Sequence, residues 1–304
     1  MCAFRIVSFD GGGIRGALSA RIFKRLCDRY PDILNKTDLY AGVSTGSLIA
    51  LLLASGKDGD YVDNLYNYDN IKNIFTPNHL NIFRPKYSNK RLKNTINSVF
   101  DENYKLKDLD KYVFIPSFNV LGLDSKSWEP VFFNNISKDN RLSNYSVIDV
   151  ALSSSAAPTY FPSHNGFIDG AVVTNMPTAT ALIQILKLYK SKLDFSDFRI
   201  LSIGTGITPC SIKRDTSKWG IAQWAYNPFL KAKKPLVSIL LNDTIPLEDM
   251  YCTELLKNNF FRINPILENE IEMDDYKKVN EMKKLASSLD LTKAYKYIEN
   301  YFLK

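Results

Sequence analysis

Phe4-Arg5-Ile6-Val7-Ser8-Phe9-Asp10-Gly11-Gly12-Gly13-Ile14-Arg15-Gly16, together with the later Leu39-Tyr40-Ala41-Gly42-Val43-Ser44-Thr45-Gly46, decides the fold. Each stretch is a short apolar run that suits a buried strand, followed by a glycine-rich turn. Beyond the first turn, Leu18, Ile22, Phe23 and Leu26 recur at helical spacing until Pro31 closes the run. Beyond the second, residues 47–55 form a strongly apolar helical run that Gly56 ends. Strand, turn and helix, twice in succession, predict an α/β layered fold.

The pattern continues outward. Tyr112-Val113-Phe114-Ile115, Val131-Phe132-Phe133, Arg199-Ile200-Leu201-Ser202-Ile203 and Phe260-Phe261-Arg262-Ile263 read as strands. Phe167-Ile168 is a further apolar run that ends at Asp169-Gly170-Ala171. Helical runs start at Ser146 and near Pro177, and a charged helix finishes the chain. The 304 residues are 45% hydrophobic, without a Pro/Gly/Ser-rich linker or an internal repeat. That favours one large unit over residues 4–265, with 266–304 as its C-terminal helical extension. Residues 57–110 are polar, rich in Asn, Asp, Lys and Tyr, and read as partly helical, a cap or a flanking insertion.

Composition narrows the function classes. The formal net charge of +7 favours anionic surfaces, lipid headgroups or nucleic acid, although the basic residues are spread as on an ordinary solvated surface. Four scattered cysteines and two histidines give no zinc-site spacing, so neither a metal nor another cofactor is expected. Reduced thiols, no visible signal peptide and a longest apolar run of only Leu48 to Ala54 point to a cytoplasmic protein. Any membrane contact would be peripheral.

Gly42-Val43-Ser44-Thr45-Gly46 has the form of a nucleophile elbow. Its small flanking residues let a strained strand-to-helix turn pass close to its neighbours, which holds the serine hydroxyl at a helix N-terminus. A Ser-His-acid triad is poorly supported, because no histidine follows Asp169. His79 lies in the polar region, and His164, five residues before Asp169, stays open as a neighbour of the site. The more economical reading makes Asp169 itself the base, with partial burial raising its pKa. Gly11-x-Gly13-x-x-Gly16 also fits a dinucleotide fingerprint. Against that reading, Asp10 would repel a pyrophosphate, and the expected acidic residue is missing from the end of the second strand. The backbone N–H groups of Gly11, Gly12 and Gly13 are therefore read as donors to a tetrahedral oxyanion. Arg15 is either an anchor for that loop or a contact for a phosphate headgroup.

Taken together, Asp10-Gly-Gly-Gly-Ile-Arg-Gly16, Gly42-Val-Ser-Thr-Gly46 and Asp169-Gly-Ala171 resemble the patatin-like phospholipases. Ser154-Ser-Ala-Ala-Pro-Thr-Tyr-Phe161, Asn175-Met-Pro177, Leu201-Ser-Ile-Gly-Thr-Gly206 and Phe261-Arg-Ile-Asn-Pro265 add to the match. The resemblance implies a three-layer α/β/α sandwich with a mainly parallel central sheet. It implies a serine lipid acyl hydrolase of phospholipase A or lysophospholipase type, with Ser44 as nucleophile and Asp169 as base. The motif glycines Gly16, Gly42, Gly46 and Gly170 belong to the same pattern. Met176 departs from it, standing where members often carry a second asparagine.

Residues 211–235 interleave Trp219, Trp224, Tyr226 and Phe229 with Lys213, Arg214, Lys218, Lys231, Lys233 and Lys234. The mixture suits a membrane interface, while two tryptophans packed in the core remain the alternative. Single-stranded nucleic acid is a weaker alternative, and no nucleic-acid polymer is expected as a partner. The expected partners are a phospholipid or lysophospholipid and a membrane surface. An alternative functional reading is a latent effector of the same family, activated by a nucleotide second messenger or another factor to degrade membrane phospholipid.

Overall fold

The computed structural model describes residues 3–77, 83–122, 126–136, 141–189, 192–209, 211–230, 233–242, 245–269 and 271–304. Seven strands form one sheet: β1 (Phe4–Phe9), β2 (Leu39–Gly42), β3 (Tyr112–Asn119), β4 (Glu129–Asn134), β5 (Phe167–Asp169), β6 (Phe198–Ile203) and β7 (Phe260–Ile263). The order is β4-β3-β2-β1-β6-β7, with β5 added to β3. The pairs β1–β2, β1–β6, β2–β3 and β6–β7 are parallel, whereas β4 and β5 run antiparallel to β3.

The helices are α1 (Gly16–Arg29), α2 (Asp32–Lys36), α3 (Thr45–Ala54), α4 (Gly59–Leu65), α5 (Tyr68–Ile74), α6 (Asn89–Asn97), α7 (Val147–Ser154), α8 (Thr178–Tyr189), α9 (Ile221–Ala225), α10 (Pro235–Asn242), α11 (Ile245–Leu256), α12 (Val279–Ser288) and α13 (Thr292–Tyr297). They cover both faces of the sheet. Val7, Phe9, Val113 and Ile115 point into a core shared with α1, α3, α7 and α12. Ile6, Phe114, Phe198 and Ile200 point the other way, against α8 and α11. The period-two alternation of a strand thus feeds two apolar layers, and the result is the α/β/α sandwich.

Parallel register fixes where chemistry can sit. Phe9 lies opposite Gly42 on one side and Ile203 on the other. Three turns, after β1, β2 and β6, therefore leave the sheet side by side at the carboxyl ends of the strands, the usual place for ligands in such sheets. β5 arrives from the opposite direction. Asp169 pairs with Ser117, three residues beyond the Phe114 that faces Ala41 of β2, so it enters at the same edge.

The polar segment 57–110 folds because its polar residues cap helices. Asp58, Asn67 and Ser88 each accept a backbone N–H at the start of α4, α5 and α6. Val62, Ile71, Ile74, Leu92 and Ile96 on their inner faces join the main core. At the far end of the chain, α12 is tied to α1 by Arg25, which donates to the carbonyls of Ala286 (2.6 Å) and Leu289 (2.9 Å).

One buried ion pair crosses the sheet behind the three turns. Arg262 of β7 bonds both oxygens of Asp10, at 2.5 and 3.2 Å, and reaches Ser202 of β6 at 2.7 Å. Asp10 is fully buried, so its charge is affordable only because the guanidinium satisfies it bidentately. Cys27 and Cys252 are free and buried. Cys2, Cys210, His79 and Lys231 lie outside the described residues.

Candidate active site

Ser44 stands between β2 and α3 with φ 54° and ψ −124°. A side-chain-bearing residue held at positive φ is strained by roughly 1–3 kcal/mol, and something around it must hold it there. The holding groups are visible. The Ser44 N–H donates to Ser154 Oγ (3.1 Å), which donates to the Pro116 carbonyl (2.7 Å). The Ser44 carbonyl accepts from Ser47 Oγ (2.6 Å) and from Ser155 Oγ (3.3 Å). No room exists for a larger residue at Gly46, where a Cβ would lie 2.3 Å from the Phe9 carbonyl oxygen. At Gly42 it would lie 2.1 Å from the Gly46 oxygen.

Asp169 meets Ser44 from β5. It is 2% exposed, and its Oδ1 accepts the Ala171 N–H at 2.8 Å. Burial pushes the carboxyl up to about 7, against the opposing pull of the Ala171 N–H and of the nearby Ser44 side chain. Gly170 turns the chain tightly beneath it, with a Cβ position 2.2 Å from the Pro116 oxygen.

The first glycine turn lies on the other side of Ser44. A Cβ on Gly11 would be 3.3 Å from Ser44 Cβ. The three glycines are not equivalent. The Gly11 N–H donates to the Asn175 carbonyl at 3.1 Å, whereas Gly12 and Gly13 line the cavity that Ser44 opens into. Gly13 has φ +59°, and a Cβ there would collide with the Met273 carbonyl at 2.0 Å. The expectation that Gly11 offers its own N–H to an oxyanion is thereby corrected. Arg15 is buried, with weak bonds of 3.4 Å from its guanidinium to the Gly12 and Gly206 carbonyls. It holds the loop from inside, which answers the headgroup alternative. Gly16 lets α1 start against Thr45, whose Oγ1 would be 2.2 Å from a Cβ.

The cavity is apolar. From Ser44 and Asp169 it is walled by Leu48 and Leu52 of α3, then by Ile71, Ile74, Leu92 and Ile96 of the polar segment. Val99, Phe100, Tyr160 and Phe161 complete much of the wall. His164 takes no part in it. His164 Nε2 pairs with Asp149 at 2.7 Å, which holds that carboxyl below its ordinary range.

Residues 7–182 match the sequence profile described as Patatin-like phospholipase. The chain belongs to the patatin-like phospholipase family. Protein teg of Priestia megaterium is 30% identical over 98% of this chain and 99% of its own length. Patatin-like protein 1 of Oryza sativa is 30% identical over 83% of this chain and 70% of its own. A cGAMP-activated phospholipase of Escherichia coli is 29% identical over 89% and 82%, respectively. Membership in the patatin-like family implies lipid acyl hydrolase chemistry.

Several residues that build this patatin-like site had no role on sequence grounds. Asn175, Ser154 and Arg262 each sat inside a recognised motif, and only the fold shows what they touch. Met176 is fully buried in the core beside Ala41 and Phe114, so the departure at that position serves packing. Glu248 of α11 carried no signal at all. It bonds the Thr174 hydroxyl, which also lies 3.0 Å from the Met176 carbonyl. One hydroxyl proton serves both contacts when Thr174 donates to Met176 and accepts from a protonated Glu248. Burial pushes Glu248 up to about 7, in keeping with that arrangement.

The sign of the linkage follows. The native state holds the Glu248 proton up to about pH 7, while the unfolded chain releases it near the ordinary glutamate value of about 4.3. Its contribution to stability is whole at low pH and is lost as pH rises through that window. Glu248→Gln, compared with wild type in urea unfolding, should gain little at pH 4. It should gain progressively up to pH 7 and level off above, with a gain on the order of 3 kcal/mol at pH 8. A constant difference across the range would contradict the buried proton.

Proposed function

We propose that the protein cleaves acyl esters of glycerophospholipids, as a phospholipase A or lysophospholipase, through a Ser44–Asp169 dyad. Ser44 Oγ attacks the ester carbonyl while Asp169 takes the hydroxyl proton. The oxyanion is received by the N–H groups of Gly12 and Gly13 at the start of the loop ahead of α1. Asp169 then returns the proton to the departing lysolipid oxygen, leaving an acyl-enzyme. A water then gives a proton to Asp169 as its oxygen attacks the acyl carbonyl, and Asp169 passes that proton to the departing Ser44 Oγ, which releases the fatty acid and restores the dyad. The observation that carries this reading is a serine on a strained elbow, beside a buried carboxylate, at the head of a cavity walled almost wholly by carbon. Leu48 and Leu52 lie one and two turns along α3 from Ser44, so the cavity follows that helix for about 12 Å. An acyl chain fits such a wall better than any polar substrate does.

The surface supports work at a bilayer. Trp219 and Trp224 pack edge to face at 5.1 Å, half-buried and apart from the main core. Ile221 is 89% exposed and Phe229 77%, with Tyr226, Leu236 and Ile239 also exposed. Cations Lys213, Arg214 and Lys218 stand among them. Apolar groups that insert, ringed by positive charge, match an anionic lipid surface. No helix among the described residues is long and apolar enough to cross a membrane, in keeping with approach from one side. A second reading, latency released by a small nucleotide, is favoured by the similarity to the cGAMP-activated phospholipase.

Fatty-acid release from phosphatidylcholine–phosphatidylglycerol vesicles tests the dyad. Ser44→Ala and Asp169→Asn should each lower kcat by at least about a thousandfold with the fold retained by circular dichroism. Because the base must be ionised, kcat/KM of wild type should rise with pH along a limb with its midpoint about 7. Full activity of Asp169→Asn would sink the mechanism. Activity that appears only on addition of a cyclic dinucleotide would establish the latent form.

Filling the cavity tests the acyl assignment. Val99 is half-buried, so Val99→Trp can enter the lumen without opening the core. The ratio of kcat/KM for a palmitoyl ester over a butyryl ester should fall about tenfold or more. Equal effects on both esters would place the chain elsewhere.

Docking is measured by vesicle co-sedimentation of Ser44→Ala protein. Adding Ile221→Ser and Phe229→Ser should weaken binding to anionic vesicles by at least about tenfold, since each exposed side chain is worth a kcal/mol or more on burial. Unchanged binding would move the interface to another face.

A further inference from the structure

Three lysines border the Tyr160 side of the cavity, and two of them are already neutralised. Lys86 Nζ lies 2.6 Å from Asp274, whose same oxygen accepts the Tyr87 hydroxyl at 2.7 Å. Lys233 pairs with Glu272 at 3.4 Å. Lys234 is different. Among the described residues no carboxylate lies within ion-pair distance of it. Its ammonium donates to Thr159 Oγ1 at 2.9 Å and stands 4.4 Å from the centre of the Tyr160 ring. Thr159 is itself held at φ 73°, in the left-handed region, and its carbonyl accepts the Lys86 N–H at 3.1 Å. The side chain of Lys234 is half-buried. Burial holds its ammonium below the usual lysine range; the nearby carboxylates of Asp274 and Glu272 oppose that shift, and the charge of Lys86 adds to it. A cation kept partly from water, whose neighbouring carboxylates are already engaged by Lys86 and Lys233, gains from a ligand that brings an anion into direct contact.

Its position says which ligand. Tyr160, under the ammonium, lines the same cavity as Ser44 and Asp169. Val237, three residues along the chain in α10, packs with Val43 and Ala171, the neighbours of those two residues. Lys234 therefore stands at the rim of the site, on the side from which α10 covers it. A glycerophospholipid with one acyl chain in the cavity and its ester carbonyl at Ser44 carries its phosphate a few bonds from that carbonyl. We propose that Lys234 is the phosphate-binding residue for the lipid headgroup, and that it selects phospholipids over neutral acylglycerols. The proposal rests on the reading of Ser44 as the nucleophile. A diacylglycerol has no charge to offer and leaves Lys234 as it stands. A phosphate gives it a charge-assisted hydrogen bond in a partly desolvated setting.

The test separates binding from turnover. Ser44→Ala protein is titrated calorimetrically with dihexanoylphosphatidylcholine, with dihexanoylglycerol and with inorganic phosphate, in the Lys234, Lys234→Met and Lys234→Arg backgrounds. Methionine keeps the aliphatic contact with Tyr160 and removes the charge. The affinity ratio of phospholipid to diacylglycerol should fall about tenfold to a hundredfold in Lys234→Met and recover largely in Lys234→Arg. Equal losses for both lipids would make Lys234 a strut for Tyr160 and α10 and overturn the proposal. So would no loss, or no binding of either lipid by the Lys234 protein. Lys234-dependent binding of inorganic phosphate as tight as that of the phospholipid would overturn the lipid assignment in favour of a soluble phosphate ligand. If wild type binds the phospholipid through Lys234 but releases no fatty acid from it, the Ser44 reading fails and the headgroup site stands.

Discussion

The site depends on a contact in which no side chain takes part. The N-terminal turn of α3 rests directly on the carbonyl oxygens of Phe9 and Asp10, at a distance that leaves no space for a Cβ on Gly46. That contact lets two adjacent parallel strands deliver their turns to one point. With any larger residue there, α3 would move away from β1, and Ser44 would move away from the glycine loop with it. The strain at Ser44 is sustained by this packing together with the hydroxyls of Ser154 and Ser155. The Asp10–Arg262 pair then fixes the first residue of the glycine loop to β7, on the far side of β6. The loop is held at both ends, by Asp10 at its start and by buried Arg15 near its finish. Its backbone donors are thus set before any substrate arrives.

A carboxylate serves as base at neutral pH only when water is kept from it. In bulk water Asp169 would titrate near about 3.9 and accept a serine proton poorly. Its burial beside Val43 and Ala171 changes that, and the same apolar surroundings continue into the cavity. One physical condition, the exclusion of water, therefore suits both the proposed base and the proposed acyl chain. The Ala171 N–H limits the effect. It stabilises the charged carboxylate enough for the group to ionise close to neutrality, without which the buried acid would stay protonated.

The sequence made the elbow, the strands and the two catalytic candidates legible because their signals are local. A strand, a glycine turn and an apolar helix need only a dozen residues of context. The missing parts are those in which distant segments meet. Arg262 lies 252 residues from Asp10, and no spacing rule pairs them. Gly11 looks identical to Gly12 and Gly13 in the chain, and only the Asn175 carbonyl separates it from them. The segment 57–110 was opaque for a different reason. Its average composition is polar, yet Ile71 and Ile74 in α5, and Leu92 and Ile96 in α6, lie one turn apart behind the capping residues Asn67 and Ser88. Those pairs form part of the cavity wall. A narrow apolar stripe on a solvated helix is easily hidden by its charged neighbours, and here the stripe both joins the core and lines the lumen. Trp219 and Trp224, half-buried and apart from the main core, show that composition alone does not place large aromatics.

The cover over the site joins these threads. α10 follows the exposed aromatic stretch, and its Val237 touches Val43 and Ala171, each one or two residues from the proposed nucleophile and base. The outer surface and the proposed catalytic pair are thus close neighbours across the Val237 contact. Whatever binds along α10, whether lipid or a soluble factor, acts on the elbow by direct contact and needs no long chain of intermediates. Two contacts of α10 bear on the site. Its first turn is held by Lys234 on Tyr160 and Thr159, and its inner face contributes Val237 to the small cluster around Ala171. The strained elbow beneath is held from the other side, by α7 through Ser154 and by β1 through Gly46. The serine and the glycine loop are thus positioned by elements other than α10.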